Sequence, residues 1–98
     1  MHLIQILLPT SGGKAAPLLL DQVREELTEK FGGLTFHRSA PAQGLWEDGG
    51  DVQEDDIVVA EVMADELDPE WWLVYRRELE RRFRQDEIVI RALSATRL

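Results

Sequence analysis

Glu61 is the one charged residue in an otherwise apolar run at 57–63, IVVAEVM. Such a run is typical of a β-strand that is covered on both faces. A carboxylate in that position must be paired, hydrogen-bonded or protonated, because an unpaired buried charge costs on the order of several kcal/mol. Glu61 is therefore the first residue to consider as a binding or catalytic group.

Side-chain alternation places further polar groups on the face that carries Glu61. If the segments 2–8, 34–38 and 87–93 are also strands, this face should present Gln5, Thr35, His37 and Arg91. We expect His37, Glu61, Gln5 and Arg91 to form a polar row that crosses an apolar surface.

Two hypotheses fit such a row. In the first, the four side chains satisfy one another at a subunit interface and fix its register. In the second, Glu61 or His37 is a general base and Arg91 holds an anion, since burial tunes the pKa of such groups. The structural hypothesis is the leading one, and the catalytic hypothesis is kept as the alternative.

The elements that must position this row follow one another as β-α-β-β-α-β. The first helix begins at Ala15 or Ala16 and ends at Gly32-Gly33, and the second is capped by Asp68 with Pro69 in its first turn. An irregular hairpin over 39–54 precedes the strand of Glu61. This order predicts an α+β, ferredoxin-like domain over residues 1–98, with a four-stranded antiparallel sheet and two helices on one of its faces.

The ferredoxin-like arrangement leaves one sheet face without a helix. It also places the first and third strands at the centre, and these are the two strands that are apolar on both faces. Something must cover the second apolar face, and a second copy of the chain is the natural cover. We therefore predict a homodimeric binding or interaction module, with a small anionic or polar ligand as a further possible partner.

Composition excludes several classes of function. A chain of 98 residues forms one domain, and without cysteine it has no disulfide, thiolate metal site or cysteine nucleophile. We find neither a basic signal region at the start nor an apolar run long enough for a membrane, and so expect a soluble cytoplasmic protein. The net charge of −8 disfavours nucleic acid as a partner.

Charge is unevenly distributed along the chain. Residues 1–70 carry 15 acidic and 4 basic side chains, whereas residues 71–98 carry 4 acidic and 7 basic ones. We expect opposite charges to meet across the fold or between subunits, with an anion-binding role for the arginines as the alternative. On the second helix the pairs Glu78–Arg82 and Glu80–Arg84 predict a solvated, salt-bridged face and not an RNA-binding one.

Three weaker motifs do not change these expectations. Gly12-Gly13-Lys14 resembles the end of a phosphate-binding loop, but Leu8 stands at the first glycine position and Ala15 at the Ser or Thr position. The acidic residues of 47–56 lack the spacing of a calcium loop. Large aromatic residues often anchor interfaces or line pockets, so Trp46 and Trp71 join Gln5 and Thr35 as candidate ligand-binding or interface residues, although packing under the hairpin is favoured for the two tryptophans. No metal and no cofactor is expected.

The chain also resembles a family of uncharacterised small bacterial proteins. The resemblance rests on FGGLT at 31–35, on GLW at 44–46 with the acidic turn after it, on DIVV and EVM at 56–63, and on WW and ELERRF at 71–83. It implies a ferredoxin-like fold of unassigned activity and no catalytic residue. Dimeric α+β barrels, which include small oxygenases and isomerases, are similar in layout, and they supply the enzymatic alternative by analogy of fold.

Overall fold

Two helices and a four-stranded antiparallel sheet make up the described part of the chain. The computed structural model describes residues 1–9, 15–38 and 57–98. The elements are β1 (His2–Pro9), α1 (Ala16–Phe31), β2 (Thr35–Arg38), β3 (Ile57–Ala64), α2 (Pro69–Phe83) and β4 (Ile90–Ser94). The α+β class and the order β-α-β-β-α-β are those that the sequence predicts.

The sheet has the strand order β2-β3-β1-β4, and each neighbouring pair is antiparallel. β1 and β3, which are apolar on both faces, lie at the centre, and the two strands that follow the helices lie at the edges. This placement confirms the expectation from the apolar patterns.

Both helices pack against the same face of the sheet. From the central strands Ile4, Ile6, Leu8 and Ala60 are fully buried there. Helical spacing in the sequence predicts one apolar stripe on α2, formed by Trp72, Tyr75, Leu79 and Phe83, and this stripe is buried in the core. α1 contributes Val23 and Leu27. Full burial of one such aliphatic side chain contributes roughly 1.5–3 kcal/mol, so this layer fixes how the sheet sits beneath the helices.

The helix ends follow the local sequence signals. Asp68 Oδ1 accepts a hydrogen bond from the Trp71 backbone N–H at 3.2 Å, which confirms the predicted cap of α2. At the end of α1, Gly32 adopts a left-handed conformation with φ of 80° and donates to the Thr28 carbonyl. α2 ends similarly, but with Arg84 at φ of 52°.

Two strands begin later than the sequence predicts. β2 starts at Thr35 and not at residue 34, although Leu34 and Phe36 pack against the core as their alternation requires. β4 was expected over 87–93 but spans Ile90–Ser94. The reason is local: the Ile88 backbone N–H donates to Glu80 Oε2 at 2.9 Å, which directs this residue to α2 and away from the sheet ladder.

Candidate functional site

The predicted polar row exists on the sheet surface opposite the helices. We call this surface the helix-free face; its side chains come from Leu3, Gln5, Leu7, Thr35, His37, Ile57, Val59, Glu61, Met63, Arg91 and Leu93. The register pairs Gln5 with Glu61 on one side and with Arg91 on the other. Gln5 Nε2 donates to Glu61 Oε2 at 3.2 Å, and Arg91 Nε donates to Gln5 Oε1 at 2.6 Å.

The edge strand β2 completes the row. Thr35 lies directly opposite Glu61 in the register, and His37 lies one pair further along, opposite Val59. His37 nevertheless reaches diagonally to Glu61, and its Nε2 contacts Glu61 Oε1. The side chain of Glu61 is 16% exposed and that of His37 is 52% exposed, so the carboxylate is the more enclosed member of the pair.

The Glu61–His37 pair has the parts of a proton-transfer site. Glu61 accepts through both oxygens, one bonded to His37 and the other to Gln5. A carboxylate that holds the Nε2–H of an imidazole fixes its tautomer and leaves a lone pair on Nδ1, which can accept a proton from a ligand. The pair can therefore orient a base or anchor a hydrogen-bond donor.

Arg91 stands at the far end of the row. Its guanidinium bonds to Gln5, and β1 separates its strand from the strand of Glu61. Among the residues that the structure describes, it makes no direct contact with Glu61. The four side chains predicted to share a row do so, but Arg91 does not converge on Glu61 within one chain.

Apolar residues flank the polar row on both sides. Two residues along each strand from the polar row, Leu93, Leu3 and Met63 lie side by side in neighbouring strands. One level in the other direction, Leu7 lies opposite Val59 and its backbone N–H donates to the Val89 carbonyl at 3.0 Å. Met63, Val89 and Leu93 are each close to half exposed, so the described residues leave these rows partly open.

An open groove of about 560 Å³ borders the Glu61–His37 pair. Thr35, His37 and Glu61 line it together with the turn at Gly32 and the side chain of Arg97. Arg97 is not among the residues that the sequence predicts for the site, because it follows the last strand and belongs to no periodic pattern. The backbone shortly before Arg97 is held beside the start of β1, because the Ala95 N–H donates to the Met1 carbonyl at 3.1 Å.

Trp71 belongs to an aromatic cluster where α1 ends and α2 begins. Its ring stacks on Tyr75 with centroids 4.9 Å apart and meets Phe31 edge to face at 5.8 Å. It also lines a second hollow of about 360 Å³ with an acidic rim from Asp65, Glu66 and Asp68. Lys30 Nζ lies 4.4 Å from the Trp71 ring centroid, so a cation of the chain itself already covers this ring face.

A charged network joins the two helices outside the polar row. Arg82 donates to both oxygens of Glu26, at 2.6 and 2.8 Å, and Tyr75 donates to Glu26 at 3.1 Å. The Arg82 hydrogen bonds hold the pKa of Glu26 below its usual range despite an opposing effect of burial. Burial, reinforced by the Glu26 charge, raises the pKa of Tyr75. Opposite charges therefore meet across the fold, as the charge distribution predicts.

Of the two ion pairs predicted along α2, one is confirmed. Arg82 Nε donates to Glu78 Oε1 at 3.1 Å, and hydrogen bonds from Arg81 and Arg82 lower the pKa of Glu78 to about 2. The predicted Glu80–Arg84 pair is wrong, because the helix ends at Phe83 and Glu80 instead accepts from the Ile88 backbone.

Several predicted features lie outside the described residues. These are the irregular hairpin over 39–54, Trp46, the Gly12-Gly13-Lys14 segment and the acidic residues of 47–56. Within 1–9, 15–38 and 57–98, no group of three or more His, Asp or Glu side chains could hold a metal ion. Neither α1 nor α2 is long and apolar enough to cross a membrane.

Comparison with known proteins gives no relative from which a function could be transferred. No protein-family model matches the chain, and neither the curated proteins nor the solved structures yield a match.

Proposed function

We propose that the chain is a small homodimeric binding or interaction module whose copies pack through the helix-free face. The observation that carries this proposal is the exposed apolar residues that flank the polar row on that face. In the described residues both helices lie on the other face, and side chains such as Leu93 and Met63 keep 46% and 49% of their surface exposed. Exposed apolar side chains grouped on one face of a sheet, with polar residues among them, indicate an interaction site.

The same proposal includes a ferredoxin-like topology and a cytoplasmic location. The strand order with β1 and β3 at the centre supports the first. The lack of cysteine supports the second, because no disulfide ties the chain to an oxidising compartment. Membership of the bacterial family that its motifs resemble is also part of the proposal.

Sedimentation equilibrium at micromolar concentration tests the dimer. We expect wild type to be a dimer and Leu93→Asp, on the helix-free face, to be a monomer, since the new charge would lose its water on association. The matched control is Val74→Asp, because Val74 is an exposed apolar residue of α2, 67% accessible, away from that face. It should stay dimeric. A monomeric wild type would contradict the proposal.

A small-molecule enzyme is the second candidate function, and the groove beside the Glu61–His37 pair favours it. In this alternative Glu61 orients His37, which accepts a proton, and Arg91 or Arg97 holds an anionic group. Thermal-shift screening with small carboxylates, phosphates and neutral polar compounds tests it. A ligand should raise the melting temperature of wild type and not that of His37→Ala. A shift that is equal in both proteins would speak against the role of this pair.

A further inference from the structure

The polar row is asymmetric, and this asymmetry constrains how two copies can pack. Its carboxylate lies on β3, and its guanidinium lies on the edge strand β4, with Gln5 of β1 between them. When two sheets pack face to face with aligned strands, the two-fold axis runs in the interface, either along the strands or along the row. The two choices bring different charges together.

An axis along the row places each side chain against its own copy. Glu61 would then face Glu61 and Arg91 would face Arg91, and like charges that face each other at an interface weaken association. An axis along the strands, between β1 and β3, sets each row of one copy against the same row of the other. The order of the side chains within the row is reversed. β1 of one copy then covers β3 of the other, and β4 covers β2.

We propose that the dimer uses the axis along the strands, so that Arg91 of each copy meets Glu61 and His37 of the other. This inference rests on the homodimer proposed above. The hydrogen bond from Arg91 Nε to Gln5 draws the guanidinium from β4 towards β1. In the reversed packing β1 covers the strand of Glu61 in the second copy. Aligned sheets lie about 10 Å apart, a gap that an arginine and a glutamate can bridge together.

The arrangement explains two features that a single chain leaves open. Within the described residues Arg91 uses only its Nε in a hydrogen bond, which leaves its terminal nitrogens for the second copy. The polar row meets a polar row, and at the next level Leu3 of each copy covers Met63 of the other. Two symmetry-related Arg91–Glu61 contacts result, and each Glu61–His37 site is complete only in the dimer.

Mixing a charge-reversed chain with wild type distinguishes the two axes. In a heterodimer of Glu61→Arg with wild type, the axis along the strands gives one attractive and one repulsive contact. This heterodimer should therefore be weaker than the wild-type dimer, and the Glu61→Arg homodimer weaker still, by about tenfold or more. The double variant Glu61→Arg/Arg91→Glu should recover the wild-type affinity. Sedimentation of differently labelled chains measures the four dissociation constants, those of the wild-type dimer, the heterodimer, the Glu61→Arg homodimer and the dimer of the double variant.

Each outcome of this experiment bears on one of the two proposals. A Glu61→Arg heterodimer tighter than the wild-type dimer would indicate the axis along the row and overturn the inference, while the homodimer stands. A Glu61→Arg homodimer as tight as wild type would also overturn it. If Leu93→Asp and wild type are both monomers, the proposed function itself fails.

Two further variants control for the change in net charge and for a failure of Glu61→Arg to fold. Glu70→Arg changes the net charge by the same amount on the exposed first turn of α2, and it should leave association unchanged at physiological salt. If circular dichroism shows that Glu61→Arg does not fold, Arg91→Glu replaces it, since Arg91 is exposed. Its heterodimer with wild type should be weaker than the wild-type dimer for the axis along the strands and tighter for the axis along the row.

Discussion

At the scale of single residues, Glu61 is held by two donors that differ in their access to water. Gln5 is partly buried, whereas His37 is 52% exposed and can replace its carboxylate partner with solvent. Removal of Glu61 therefore leaves little buried charge without a partner. The cost should be that of two lost hydrogen bonds rather than that of an uncompensated buried ion.

We accordingly expect Glu61→Ala to lower the free energy of unfolding of the monomer by about 1–2 kcal/mol. Urea unfolding, followed at a protein concentration below the dimer dissociation constant, measures this change. Glu87→Ala is the control, because Glu87 is exposed and precedes β4; it should change the stability by less than about 0.5 kcal/mol. A loss of about 3 kcal/mol or more for Glu61→Ala would mean that His37 or Gln5 cannot be rehydrated.

The membership of the polar row could be predicted from sequence, but its contacts could not. Alternation assigns Gln5, Glu61, His37 and Arg91 to one face whatever the register, because successive side chains of a strand point to opposite sides. The register between β2 and β3 depends on the geometry of their connection, which the sequence of residues 39–56 does not predict. Hence the sequence did not show that Thr35 rather than His37 lies opposite Glu61. It also did not show that Arg91 bonds to Gln5.

At the scale of the elements, the contact between α1 and α2 depends on charge as well as on apolar packing. Arg82 joins Glu26 of α1 to Glu78 of its own helix, and Tyr75 supports the same carboxylate. Helical periodicity predicted the buried stripes of both helices because burial repeats every 3.6 residues. It did not predict this pair, since Glu26 and Arg82 both lie beside their stripes and meet only through the angle at which the helices pack.

The Glu26–Arg82 pair should make stability depend on pH in the acid range. The pKa of Glu26 is lowered in the folded chain, mainly by the Arg82 hydrogen bonds, from an ordinary value of 4.5. The unfolded state therefore takes up a proton first as pH falls. The stabilisation is fully present above pH 4.5 and is lost as pH falls through the lower folded value.

Glu26→Gln should thus cost about 1 kcal/mol at pH 7, because the side chain is 41% exposed and solvent screens part of the attraction. The difference in unfolding free energy from wild type should shrink steadily as pH falls from about 5 to about 3, the range in which carboxylates titrate. Urea unfolding over this range measures it. Glu29→Gln, at an exposed position of the same helix, should show no such trend. A constant difference at all pH values would indicate a packing effect instead.

At the scale of the whole molecule, two properties act against each other. The helix-free face favours association through its apolar rows, whereas two copies with a net charge of −8 repel each other. Two such charges about 25 Å apart in water repel by roughly 10 kcal/mol before screening. Salt reduces this repulsion steeply, because the Debye length falls from about 30 Å at 0.01 M to about 8 Å at 0.15 M.

We therefore expect the dimer to become tighter as sodium chloride rises from about 0.01 M to about 0.15 M. The Arg91–Glu61 contacts proposed between the copies are screened less than the net charge, since Glu61 is only 16% exposed. Sedimentation equilibrium across this range gives the trend, and Glu70→Arg, whose net charge is smaller in magnitude by two, should show a shallower one. A dimer that weakens with salt would mean that attraction between opposite charges outweighs the repulsion of the two acidic bodies. The apolar rows would then contribute less to association than their exposure indicates.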